Sequence, residues 1–531
     1  MIKIKKNKLN INLLNNGAVS DIFYDQIKIN QVSGNNLDGG LQNFYFRVQE
    51  KGQTRYFRLI DADNLTEVNY SNDLISWQGE KNGIFYRLNL YIGNRSWFWE
   101  ANITSSTKFD KADLFFVQDL GLGEESFVSS NEAYASQYID NFVSQLDKTI
   151  IVGSRQNQSQ QGRNPYLQIG SFSDLSAFST DAYQFFGKRY VTTGIPAAME
   201  NDRLPSVNLQ NEANLIVLQK RFVSSESLST KSIVFYSSFC SDAKGENDHL
   251  IFDQDDLRKE FRQLKDKKIE GRSKLKLLKR KTNLSFKPVE TEDFTNDEIN
   301  NIFPARLQEE EYHGRLLSFF TDQNDHVVTK YKEELQTRPT GNIILAGSDI
   351  VPGKAILATT QYMSGVFSSQ TVFGNTNHNK FSSNLRGPLN FFKMQGMHIY
   401  LKSDKDYQLL STPSLFVMSY NSSDWYYKLK NDVLKISADA SAFDQSLHFK
   451  ILSLTNKTYD LLITENIIMD SVEGQNSVDK IFSKDGRIFF YPGKKSLMKK
   501  FNKNLSFSTI LPVMMIPKSL QAMNLSFLLK I

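Results

Sequence analysis

The chain has 531 residues, 40% hydrophobic and 12% aromatic, with a formal net charge of +5 and a single cysteine. That length exceeds what one compact core holds, so two or three domains are expected. The small net charge argues against a nucleic-acid polyelectrolyte binder, and a lone Cys240 excludes an internal disulfide framework and a cysteine-based zinc site.

The N-terminus, MIKIKKNKLNINLLNNG, is basic but lacks the apolar run of a secretion signal. No stretch reaches the roughly 18 uninterrupted apolar residues of a spanning helix. These features predict a soluble cytoplasmic protein with neither nucleic acid nor membrane as a partner. Residues 1–250 read as an N-terminal β-sandwich domain. Turn signals at Gly34, Asp38-Gly39-Gly40, Gly52, Gly79, Gly83 and Gly93 separate the alternating runs 44–48 (FYFRV), 54–60 (TRYFRLI) and 83–92 (GIFYRLNLYI). The piece Trp97-Phe98-Trp99 puts two indoles on one face of a strand. They suit either a core or a sugar-stacking surface, and the core is favoured. The spacing in 131–143 is ambiguous between helix and strand. The polar run 154–164 (SRQNQSQQGRN) reads as a long loop, either functional or simply exposed.

Residues 251–313 read as a helical linker. Leu257, Phe261, Leu264, Leu275 and Leu278 follow a rough helical spacing across 253–281, with Asp255 and Asp256 at its start and basic residues toward its end. Twelve Lys or Arg fall from Arg258 to Lys281 with Phe261 as the single aromatic among them and no recognised nucleic-acid motif, which favours a solvated helix over a nucleic-acid patch. Residues 290–312 continue the helical pattern to just before Pro304. Strand patterns return at 326–335 and run through a second β-sandwich domain, 314–500, with 447–456 and 459–469 as its clearest strands. The tail 501–531 contains no Asp or Glu and neither a clean strand alternation nor a helical stripe. It is expected to pack poorly against the second domain, as after an early stop or a shifted reading frame; a genuine apolar strand pair is the alternative. Taken together, the fold class is mainly β, two sandwich-like domains joined by helix.

The chemistry is less explicit. Phosphate-binding glycine motifs and H-E-x-x-H are absent, and the six histidines are scattered. The densest polar constellation is 367–400, FSSQTVFGNTNHNKFSSNLRGPLNFFKMQGMHIY, which also holds His378 and His398. Its amides and glycines suit strands and turns that present donors and acceptors to a polyol, or turns that brace another domain. Asn375, Asn377, Arg386 and Asn390 are the candidate carbohydrate-binding residues. Trp425, set in NSSDWYYK, is the candidate stacking ring because its polar neighbours suggest a surface loop. No metal site and no catalytic residue is assigned.

The blocks FFVQDLGLG and NEAYASQYID (115–140), GRLLSFFTDQNDHVVTKYKEELQTRPTGNI (314–343) and VFGNTNHNKFSSNLRGPLNFFKMQGMHIYL (372–401) add a resemblance. In this order they resemble the N-terminal half of 1,2-β-oligoglucan phosphorylases, relatives of cellobiose phosphorylase in glycoside hydrolase family 94. The resemblance spans about residues 16–491. It implies a β-sandwich N-terminal region, helical linkers, an (α/α)6 barrel carrying inverting phosphorolysis, and no metal or organic cofactor. The acid of that reaction lies in the barrel, for which the residues after Lys500 do not suffice. The expected role is therefore a non-catalytic N-terminal part, inactive alone, whose partners are a β-glucan oligosaccharide and the missing catalytic half or a second copy. The alternative is a free-standing carbohydrate-binding or scaffold β-protein.

Overall fold

The computed structural model describes residues 1–531 except 107, 131, 147, 211–212, 226–227, 268–270, 280–286, 349–356, 366–369, 374–396, 404–405, 465–477, 485–486, 495–498, 500–505, 511–521 and 531. The chain divides into two compact units, Met1–Gly187 with Ile195–Asn283, and Lys188–Gly194 with Leu284–Ile531. Both are built from antiparallel strands, as the alternating patterns predict. Among the described residues no helical barrel is present, and the helix Gln254–Asp266 has 13 residues.

In the first unit a nine-stranded sheet runs in the order Ile139–Leu146, Thr149–Gln156, Tyr166–Ser171, Leu228–Cys240, Ser96–Ser105, Ile84–Ile92, Leu74–Lys81, Leu65–Tyr70 and Ser273–Lys274. A five-stranded sheet runs Ala177–Asp181, Asn214–Ser225, Phe109–Asp119, Asn43–Glu50 and Gln53–Arg58. A second five-stranded sheet begins with the hairpin Ile2–Lys6 and Leu9–Leu13. All three contribute to one apolar core. Phe44 meets Trp99 edge-on at 5.4 Å, Phe116 stacks on Phe235 at 5.1 Å, and Trp77 stacks on Trp99 at 5.1 Å. Trp97 and Trp99 are fully buried, so the paired indoles are core anchors.

One register position of the five-stranded sheet carries charge. Asp113 lies directly opposite Arg47 on one neighbouring strand and Arg221 on the other. Asp113 accepts from Arg47 Nη2 at 2.6 Å and Nε at 3.1 Å, from Arg221 Nε at 2.9 Å and from Gln219 Nε2 at 2.7 Å. Arg47 is completely buried and spends its remaining donors on the carbonyls of Ala198 and Asp202, both at 2.7 Å, and on that of Asn201. The ladder thereby holds the turn at Ala197–Met199 against the sheet.

The polar run 154–164 is a braced connection. Gln156 Nε2 donates to the carbonyls of Gly121 and Ala135 at 3.1 and 3.0 Å, and Gln160 Oε1 accepts from Glu124 N at 2.9 Å. Residues 131–143 resolve into the helix Glu132–Gln137 and the start of the strand Ile139–Leu146.

The expected helix over 253–281 is shorter. Asp253 caps it, accepting from Asp255 N and Asp256 N at 2.9 and 3.1 Å, and Leu257 and Phe261 bury one face. Helix ends at Asp266, and Gly271 takes a left-handed φ of +67° that a helix does not contain. Ser273–Lys274 then pairs with Leu65–Tyr70, which places Leu275 in the core. Residues 290–312 contain one short helix, Asn296–Ile302, with a Thr295/Glu298 capping box, followed by the strand Leu307–Tyr312. The expected strand 326–335 stops at Thr329, whose hydroxyl accepts from Lys332 N and starts the helix Lys330–Leu335.

In the second unit an eleven-stranded sheet includes Leu415–Met418, Ser422–Leu429, Asp432–Ala440 and Ser446–Ser453 as consecutive neighbours. The expectation that the tail packs poorly is corrected. Ala522–Lys530 pairs with Ser446–Ser453 on one side and with Ser506–Ile510 on the other.

Two outcomes follow. Arg47→Ala leaves the buried Asp113 carboxylate short of donors and should lower stability by about 3–5 kcal/mol in urea unfolding. Asp119 is fully buried; its Oδ2 accepts from Gln31 N and Val32 N at 2.9 and 2.8 Å while Oδ1 has no hydrogen-bond partner, and burial raises its pKa to about 6. A carboxyl raised in the folded state contributes stability that is complete below the unfolded pKa of roughly 4 and is lost as pH rises through about 6. Asp119→Asn should flatten the stability profile between pH 4 and 6 relative to wild type; parallel profiles would contradict this.

Candidate functional site

Trp425 is not a surface ring. It sits on the strand Ser422–Leu429, is fully buried, packs against Phe416 at 5.3 Å and donates from Nε1 to the Tyr362 carbonyl at 2.9 Å. Its polar neighbours belong to a strand covered on both faces. Trp425 and Tyr427 point into one apolar cluster, whereas Tyr426 packs with Ile299 and Phe319 in another. Asp424 is held by Lys435 at 2.8 Å and Ser423 is buried. The sugar-stacking role of Trp425 is therefore withdrawn. Asn375, Asn377, Arg386 and Asn390 lie outside the described residues, and so does His378. His398 is buried on the strand His398–Lys402, stacked against Tyr400.

Among the described residues, concavities of the second unit include a smaller and a larger one. The smaller, about 210 Å³, is bounded by Asp293, Arg315 and Tyr331. Its charges are already satisfied: Arg315 Nη2 donates to Asp293 Oδ2 at 2.9 Å and the guanidinium lies 3.6 Å from the Tyr331 ring centre. The larger, about 430 Å³, is lined by Lys188, Arg189, Thr192, Glu333, Glu334 and Ser411, among others. Three parts of the sequence build it. The short helix Tyr190–Thr193 is closed by Gly194 at a left-handed φ of 75° and anchored by Val191 against Tyr400 and Leu409. The chain at Pro288–Val289 runs beside Leu409, with Val289 N donating to the Leu409 carbonyl at 2.8 Å. The helix Lys330–Leu335 supplies the carboxylates.

The electrostatics of this cavity are unbalanced locally. Lys188 Nζ is shut off from solvent and has no hydrogen-bond partner among the described residues. Burial lowers its pKa, against the opposing pull of Glu333 and Glu334. Glu333 is buried, and burial raises its pKa against the Thr340 N–H that it accepts at 3.0 Å and the attraction of Lys188. The two charges influence one another, yet Lys188 closes no hydrogen bond to either carboxylate. Lys330, by contrast, is spent on Thr291, donating to its carbonyl at 3.0 Å and to its hydroxyl at 3.2 Å.

Comparison with known proteins defines the class of domains present. Residues 12–237 match the SOGP N-terminal domain, and residues 303–526 match the glycoside phosphorylase supersandwich domain. The chain is 31% identical over 494 residues to a 1,2-beta-oligoglucan phosphorylase from Listeria innocua serovar 6a (strain ATCC BAA-680 / CLIP 11262), which covers 93% of this chain and 44% of that protein. The chain carries an SOGP N-terminal domain and a glycoside phosphorylase supersandwich domain, and it resembles the N-terminal half of a 1,2-β-oligoglucan phosphorylase. It spans less than half the length of that curated relative. Among solved structures it is similar to a polysaccharide lyase (TM-score 0.30, 7% identity, 87% of this chain and 47% of that one). It is also similar to a bacterial glucoamylase complexed with acarbose (TM-score 0.30, 11% identity, 49% and 33%). No helix among the described residues is long and apolar enough to cross a membrane.

The burial of Trp425 has a measurable consequence. Trp425→Ala removes a core side chain and orphans the Tyr362 carbonyl, and should cost about 3–5 kcal/mol in urea unfolding. A loss below about 1 kcal/mol would mean that the ring is not a core element.

Proposed function

We propose that this chain is the non-catalytic N-terminal part of a cytoplasmic β-1,2-glucan phosphorylase of glycoside hydrolase family 94. The single observation that carries the reading is the 31% identity sustained over 93% of the chain with a 1,2-beta-oligoglucan phosphorylase. In this reading the β-sandwich-like domains are the architectural half. Inverting phosphorolysis, in which phosphate attacks the anomeric carbon as an Asp protonates the leaving oxygen, is performed by a helical-barrel half or in company with a second copy. The domain division 1–250, 251–313, 314–500 and 501–531 belongs to the same proposal, as does the assignment of Asn375, Asn377, Arg386 and Asn390 to glucan contact. Amides and a guanidinium can hold paired ring hydroxyls, each amide offering both donor and acceptor.

Titrating the chain with β-1,2- and β-1,4-linked glucooligosaccharides tests the substrate class. The β-1,2 series should bind more tightly, and Asn377→Ala with Asn390→Ala should weaken it about tenfold or more. Equal affinity for both linkages would contradict the assigned glucan.

A further inference from the structure

The geometry points to the cavity between Tyr190–Thr193 and Lys330–Leu335 as a binding site for a neutral polyol of one or two hexose rings, held between Lys188 and Glu333. This goes beyond the proposed function, because the described lining comes from Lys188–Thr193, Pro288–Thr291, Lys330–Pro339, Ser364 and Ser411–Thr412. Its volume of about 430 Å³ falls within the roughly 300–1,000 Å³ of small-molecule pockets.

The ligand class follows from the lining. An ammonium sheltered from water without a hydrogen-bond acceptor is costly unless something else supplies one. The buried Glu333 carboxylate is bonded through Thr340, by its N–H at 3.0 Å and by its side chain, which leaves lone pairs for further donors. A hydroxyl serves both, accepting from Lys188 and donating to Glu333. Vicinal hydroxyls on a sugar ring can do so at adjacent positions. The charges do not favour a competing anion. Lys188, Arg189 and Lys330 line the same space as Glu290, Glu333 and Glu334, so the wall is neutral in sum and offers an anion such as phosphate no net attraction. The hydroxyls of Thr192 and Ser411 complete a surface suited to a polar, uncharged occupant.

The experiment uses the full chain carrying Asn377→Ala and Asn390→Ala, so that the glucan contact proposed above does not contribute. Glucose and the β-1,2-linked glucose disaccharide are titrated by saturation-transfer NMR, with inorganic phosphate as a separate arm. The choice of glucose units as probe rests on the family reading. Binding of a neutral sugar is expected in this background. Lys188→Met should weaken it at least tenfold, and Glu333→Gln about three- to tenfold. Lys188→Met removes an unpartnered ammonium and should not lower the melting temperature, which separates lost binding from lost folding. No sugar binding in this background, sugar binding unchanged by Lys188→Met, or preference for phosphate would each overturn the assignment. None of these outcomes bears on linkage preference in the unsubstituted chain, so the proposed function stands or falls separately.

Discussion

The first unit depends on a charge ladder that its core would otherwise reject. Asp113, 1% exposed, is flanked across the sheet by Arg47, at 0%, and by Arg221. Isolated, that carboxylate would carry a desolvation cost of several kcal/mol. With Arg47, Arg221 and Gln219 donating, its oxygens are saturated. The arrangement specifies register, because a one-residue slip of either neighbouring strand would turn its arginine to the opposite face. It also fixes the turn after the excursion Lys188–Gly194, through the Arg47 donors to Ala198 and Asp202.

The second unit relies on the opposite device. Its central strand, Ser422–Leu429, is covered on both faces by apolar clusters, and the indole of Trp425 is tied by one hydrogen bond rather than by charge. The helix Asn296–Ile302 supplies one cover through Ile299. That helix is short, yet Lys428 Nζ reaches its capping residue Glu298 at 2.7 Å, which binds helix to strand. The two devices suit a large β-architecture, in which adjacent strands need distinguishing marks to avoid mispairing.

Much of the β-architecture was legible in the sequence where one face alone is buried. Ile84–Ile92 alternates buried and exposed residues over its first five positions, and that alternation is what the sequence displays. Legibility failed where local pattern and tertiary context disagree. Leu275 and Leu278 continue a helical spacing from Phe261, but Gly271 breaks the path and the strand Ser273–Lys274 delivers Leu275 to the core. Thr329 looks like one more β-branched strand residue until its hydroxyl caps a helix. Trp425 was misplaced because Asn421, Ser422 and Asp424 read as loop, although Ser422 and Asp424 lie on its strand and Asp424 is paired across the strands. The cavity of Lys188 and Glu333 was not legible at all. Its walls come from separate segments spread between Lys188 and Thr412, and none carries a motif whose spacing announces the others.

The central proposal is that this chain supplies architecture while turnover belongs to a helical-barrel half. It is tested most directly by incubating the purified chain with β-1,2-glucooligosaccharides and phosphate and measuring α-glucose 1-phosphate. The account predicts no phosphate-dependent release above the protein-free control. Sustained release that copurifies with the chain through successive columns would contradict it.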